Sequence, residues 1–241
     1  MFYIINESLV ALALLALPLI IAFIHFNLLR YLFLNTIMSH RASRLIYRTL
    51  GLIGTPLHEM SHLITAILFG HKIKSVKLFA WNNDAYVIHS YNPQSLWHSS
   101  GCLIVAVSPF ITSTIFIQFI MGDLITQNLC LSKGQIDAAG LLSQLSNVLN
   151  AILLESSSWE MLAVLIVSFY CTPSNGDFSN AFKSIFISLP SIMFMTILLH
   201  YAFDLSQFIA MVVVTSLLVL VSATAVWISL RVISLVEELL Q

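Results

Sequence analysis

The stretch GTPLHEMSHLITAILFG, Gly54 to Gly70, decides how the chain is read. It sets His58, Glu59 and His62 inside a run that is otherwise almost wholly apolar. A polar group in an apolar medium costs several kcal/mol, of order 2–7, unless it finds a partner. Two imidazoles and a carboxylate therefore need a compensating charge, and a metal ion is the first candidate. On a helix, residues four apart share one face, so His58 and His62 place two ring nitrogens around one point. Glu59 follows directly, next to whatever the two rings hold.

Outside this stretch the chain reads as membrane protein. Of 241 residues, 59% are hydrophobic and 9% charged, against about 25% charged in a soluble domain. The net charge of −1 gives no reason to expect nucleic acid. Cys102, Cys130 and Cys171 form no Cys-x-x-Cys pair, which argues against a disulfide framework and a thiolate zinc site. The N-terminal apolar run lacks a basic start and a small-residue cleavage site, so it is expected to stay as a membrane helix.

A crossing needs about 20 apolar residues. Candidate segments run over 9–29, 50–69, 102–121, 159–171, 189–203 and 208–230. The fold expected is an all-α polytopic membrane protein of about six transmembrane helices, treated as one domain over 1–241. Residues 136–155 mix leucine with Ser, Gln and Asn and read as an interfacial or packed helix. After the motif helix, KIKSVKLFAWNNDAYVIHSYNP carries β-branched and aromatic residues on both sides of Asn82-Asn83-Asp84. That pattern predicts a β-hairpin, ended by Pro93. Arg30, Arg41, Arg44 and Arg48 precede the motif helix, while Lys72, Lys74 and Lys77 follow it. By the positive-inside rule, either the motif helix does not span fully or one cluster breaks the rule.

His-Glu-x-x-His on a helix is the pattern of zinc hydrolases. Two imidazoles hold the ion, which brings the pKa of a bound water toward 7, and the glutamate acts as general base. A catalytic zinc takes a third protein ligand. Asp177 in YCTPSNGDFSNAFKS is one candidate; Asp123, Glu155 and Glu160 are others. Asp177 also reads as an ordinary helix N-terminal residue. His200 and Asp204 stand four apart and suit a hydrogen-bonded pair. Each remaining histidine stands alone; His89 is notable because the hairpin carries it near the motif helix.

HEMSH in a membrane helix, a hairpin next, and a distant Asp after TPSNGD together resemble the site-2 protease family of intramembrane zinc metalloproteases. The resemblance covers about Gly51 to Ser184. It departs from the family pattern in that Phe178, not Gly, follows Asp177, and no Asn stands three before Pro173. It implies zinc bound by His58, His62 and Asp177, with Glu59 as general base. It further implies Asn147 and Asn150 as substrate-binding residues, and residues 75–91 as a strand that pairs with a transmembrane protein substrate. The expected activity is hydrolysis of a peptide bond in or near a membrane segment, by an integral, multi-pass protein in the lipid bilayer. Competing readings are a non-cleaving metal-binding relative that holds a membrane client, and a metal or proton transporter. Glu59 favours the protease, because metal binding alone does not need it.

Overall fold

The computed structural model describes residues 2–79, 85–129, 138–202 and 206–240. Among these residues the chain forms α1 (Phe2–Ser39), α2 (Arg41–Leu68), β1 (Lys72–Lys77), β2 (Tyr86–Ser90) and α3 (Leu96–Asn128). There follow α4 (Ala138–Glu155), α5 (Ser158–Tyr170), α6 (Asn175–Ala202) and α7 (Ser206–Leu239). The turn Asn82-Asn83-Asp84, Cys130, Asp204 and the side chain of His200 lie outside what is described.

Each of the six segments falls on a helix, but the six are not equal. Four helical stretches, Ala16–Ser39, Leu96–Asn128, Gly176–Leu198 and Phe208–Leu239, are long and apolar enough to cross a membrane by length and composition. A membrane protein follows; a count of six crossings does not. Helix α5 has 13 residues, about 20 Å at 1.5 Å per residue, against a hydrocarbon core of about 30 Å. Helix α2 is long, but its Arg-rich first half and its motif residues leave it amphipathic. It stands outside the four, in line with a motif helix that does not fully span.

Helix α7 is the centre of the bundle. Its most apolar window is 67% buried, against 11% for that of α1, so α7 is packed on most sides and α1 lies at the periphery. Ile209, Val213, Val214, Leu218 and Leu220 of α7 meet Ile117, Met121 and Ile125 of α3 and Leu145, Val148 and Ile152 of α4. A second cluster joins Val226, Trp227 and Leu230 to Ile37 and Phe169. At the far end of α7 the carboxylate of Glu237 accepts from the backbone N–H groups of Arg41 and Ala42, both at 2.9 Å. Those amides have no partner within their own helix, and a carboxylate complements the positive end of the helix dipole.

Helix α2 ends on Gly70, whose φ of +73° suits a residue without Cβ. Gly70 N–H donates to Ile67 O at 3.0 Å and His71 N–H to Ala66 O at 2.9 Å, a Schellman ending. It sends the chain straight into β1. Strands β1 and β2 pair antiparallel from Lys72↔Ser90 to Lys77↔Tyr86, with an irregularity between Ile73 and Ser75. The expected hairpin is therefore present, and it starts just beyond the end of the helix that carries the His-Glu-x-x-His segment.

Candidate metal centre

His58 and His62 stand on one face of α2, their ring centroids 4.8 Å apart. Each Nδ1 is committed to a main-chain carbonyl. His58 Nδ1 donates to Tyr170 O at 2.8 Å, and His62 Nδ1 donates to Val105 O at 2.7 Å. A carbonyl only accepts, so both rings carry their proton on Nδ1 and a lone pair on Nε2. This is the arrangement by which proteins aim histidines at a metal.

Both carbonyls are available for a reason written in the helices. Tyr170 is the last residue of α5, where carbonyls lack an intrahelical partner. Val105 lies within α3, four residues before Pro109. Proline has no N–H, so the usual bond back to Val105 O cannot form. That oxygen accepts from His62 and from Ser108 Oγ, the latter at 2.7 Å.

The third group arrives with α6. Ser174 and Asp177 bond each other reciprocally at its start: Ser174 N–H donates to Asp177 Oδ2 at 2.7 Å, and Asp177 N–H donates to Ser174 Oγ at 3.3 Å. The cap reading of Asp177 is thus met, and it is compatible with the ligand reading, because the cap fixes the carboxylate. Its Oδ1 is 3.1 Å from His62 Nε2 and its Oδ2 3.6 Å from His58 Nε2. The two Nε2 atoms are 3.1 Å apart. Two lone pairs and a carboxylate at these distances repel unless a cation lies among them. Ligand atoms around a tetrahedral zinc are about 3.4 Å apart, from a Zn–N length of about 2.1 Å. The observed spacing fits that value. His58, His62 and Asp177 therefore form a set that could hold a metal ion, with ligand atoms all within 4.8 Å.

Glu59 is 9% exposed. Two clefts meet at His58 and Glu59. One, about 220 Å³, also takes in His62, Asp177, and Tyr86, Val87 and His89 of the hairpin. The other, about 390 Å³, opens between α1, α2 and the end of α5, past Arg30, Tyr47 and Trp227.

The other sequence candidates go elsewhere. Asn147 and Asn150 are exposed on α4 and line neither cleft. Helix α4 packs through Leu145, Val148 and Ile152, at three- and four-residue spacing, and the two asparagines fall off that face. Asp123 and Glu155 are exposed. Glu160 is used at the start of α5, where Oε2 accepts from Ser157 N–H at 2.8 Å and Ser157 Oγ at 2.7 Å. His25 joins α1 to α7 through Thr224 Oγ1 at 2.6 Å. Reading side chains alone missed the two carbonyls; Pro109 inside an apolar helix was the available signal for one of them.

No protein-family model, no curated protein and no solved structure matches the chain. Its chemistry is argued from the site itself.

Proposed function

We propose that the chain is an intramembrane zinc endopeptidase, of the kind the site-2 protease resemblance implies. The observation that carries this reading is the convergence of two Nε2 lone pairs and the Asp177 carboxylate beside a buried Glu59, in a cleft bordered by β2. A zinc ion held by His58, His62 and Asp177 would supply Lewis acidity, lowering the pKa of water and polarising a carbonyl.

The chain's own residues supply the rest. Glu59 takes a proton from the attacking water as the new C–O bond forms. It returns that proton to the departing amine as the C–N bond breaks, so the proton count balances. The buried setting of Glu59 keeps bulk water from competing for it. Strand β2 lies along the cleft, and an extended peptide beside it would gain main-chain hydrogen bonds with little demand on sequence. The substrate class is an unwound segment of a membrane protein, reached from the bilayer.

The test is cleavage of membrane-protein clients by wild type and Glu59→Gln, with zinc content measured in the same preparations. Cleavage lost with zinc retained supports the peptidase. Unchanged metal flux across vesicles in Glu59→Gln, with no cleavage in wild type, supports the transporter instead. No metal in folded wild type leaves a proton shared by the two rings and Asp177, and ends the zinc reading.

A further inference from the structure

A second group of histidines reaches the same cleft through His89, and the chemistry above does not use it. His71 follows the Schellman turn of α2 and is 5% exposed. Its Nε2 donates to the main-chain carbonyl of His98 at 2.9 Å. Nε2 must carry the ring proton there, which leaves Nδ1 as a lone pair in the neutral ring. His89 Nδ1 is 3.1 Å from His71 Nδ1. Only one of these two nitrogens can donate, and His71 has spent its proton on His98. His89 therefore carries its proton on Nδ1 and a bare Nε2.

The environment keeps both rings in that form. The His71 ring stacks against His89 at 4.9 Å and against Tyr91 at 5.3 Å between centroids. Burial is the main cause holding both imidazoles below their ordinary pKa, and the neighbouring His71 and His62 rings add to the effect at His89. His89 sits on β2 and lines the cleft with Glu59 and the metal-ligand set, together with Tyr86 and Val87 of the same strand.

We infer that His89, fixed as the Nδ1–H tautomer by His71, is a substrate-binding hydrogen-bond acceptor whose Nε2 receives a main-chain N–H of the peptide in the cleft. The inference rests on the reading that this cleft takes a peptide. His71 is a positioning residue: it touches no substrate and acts through the tautomer it imposes. An unpaired acceptor facing the cleft selects for an N–H at that point and against a group that only accepts. A peptide held there keeps its main chain along β2 and its carbonyls turned away from His89. No proton is transferred in this role.

The test uses the full chain in detergent micelles, zinc-loaded and labelled with nitrogen-15 at histidine. His89→Gln identifies the His89 resonances by their loss. The expected result is an unprotonated Nε2 in wild type, reverting toward the Nε2–H form in His71→Phe. A capped leucine-alanine hexapeptide should move the wild-type Nε2 resonance upfield, and an ester analogue lacking the N–H groups should not. In cleavage of that peptide, His89→Ala should lower kcat/KM about tenfold, the scale of one hydrogen bond, and His89→Gln should recover most of it. A protonated Nε2 in wild type, or a resonance unmoved by the hexapeptide, overturns the inference. If the hexapeptide moves the resonance but is never hydrolysed, the peptidase reading fails and the role of His89 stands.

Discussion

His62 owes its orientation to Pro109: the proline leaves the carbonyl of Val105 without a helical donor, and His62 Nδ1 donates to that oxygen at 2.7 Å. Pro109→Ala would restore an N–H that competes for Val105 O. The expected outcome is a helix α3 at least as stable as before and a zinc affinity about tenfold weaker, in the range for loss of an outer-shell partner. Competition with a chromogenic chelator in detergent measures it. Unchanged affinity would show that the Val105 carbonyl does not need to be free.

His58 depends on Tyr170 in a second way. A Cβ on Gly54 would come within 2.4 Å of Cγ and 2.5 Å of Cβ of Tyr170. These are atoms close to the main chain, so they move only with the end of α5. Gly54→Ala should cost about 1–3 kcal/mol of stability and displace the carbonyl that orients His58. A drop in both thermal midpoint and zinc affinity is expected. Gly122→Ala meets only Gln118 Oε1 at 3.6 Å and serves as the quiet control.

Metal content tests the ligand set directly. Mass spectrometry of purified protein should find about one zinc per chain in wild type, and loss in His58→Ala, His62→Ala and Asp177→Ala. Ser174→Ala should retain part of it, because that variant removes the Oγ acceptor of the cap but leaves the carboxylate. Its cost in stability should be near 1 kcal/mol, the usual scale for an N-cap. Full retention in Asp177→Ala would move the third ligand elsewhere.

The hairpin should loosen in acid. Burial holds the folded-state pKa values of His71 and His89 below the ordinary 6.5. Below 6.5 the unfolded chain binds protons that the folded chain refuses, so stability falls as pH drops from 6.5 toward the folded values. Above 6.5 both states are neutral at these rings and they contribute no slope. The groups that face the pair, His98, Tyr91 and His62, stay in place in the comparison. Thermal midpoints of wild type and His71→Phe, taken one unit above and one unit below 6.5, should differ more in wild type. Equal slopes would mean that His71 and His89 titrate normally.

Much of this architecture was legible before any coordinates. The His-Glu-x-x-His spacing and the hairpin were readable, because periodicity and local turn chemistry carry them; Asp177 was one of four acidic candidates, singled out only by the resemblance. The number of crossings was not legible. Hydrophobicity marks 159–171 and 50–69 as apolar, but 13 residues are too few to span, and α2 mixes arginines with its motif. Asn147 and Asn150 were suggested by resemblance and lie on the outer face of α4, where the packing of Leu145, Val148 and Ile152 decides orientation. The carbonyls of Tyr170 and Val105 were invisible to a side-chain reading, since every residue has one. Their availability depends on a helix end and on a missing N–H.

The separation between His58 and the carbonyl that orients it is 112 residues. Asp177 follows that carbonyl across the short α5–α6 corner, so one bend of the chain delivers both the orienting group and the last ligand. Synthesis proceeds from the N-terminus, and α2 therefore waits, its histidines unaimed, until this corner has emerged and docked. An ion held by His58, His62 and Asp177 would find its ligand set complete only after that corner has been made.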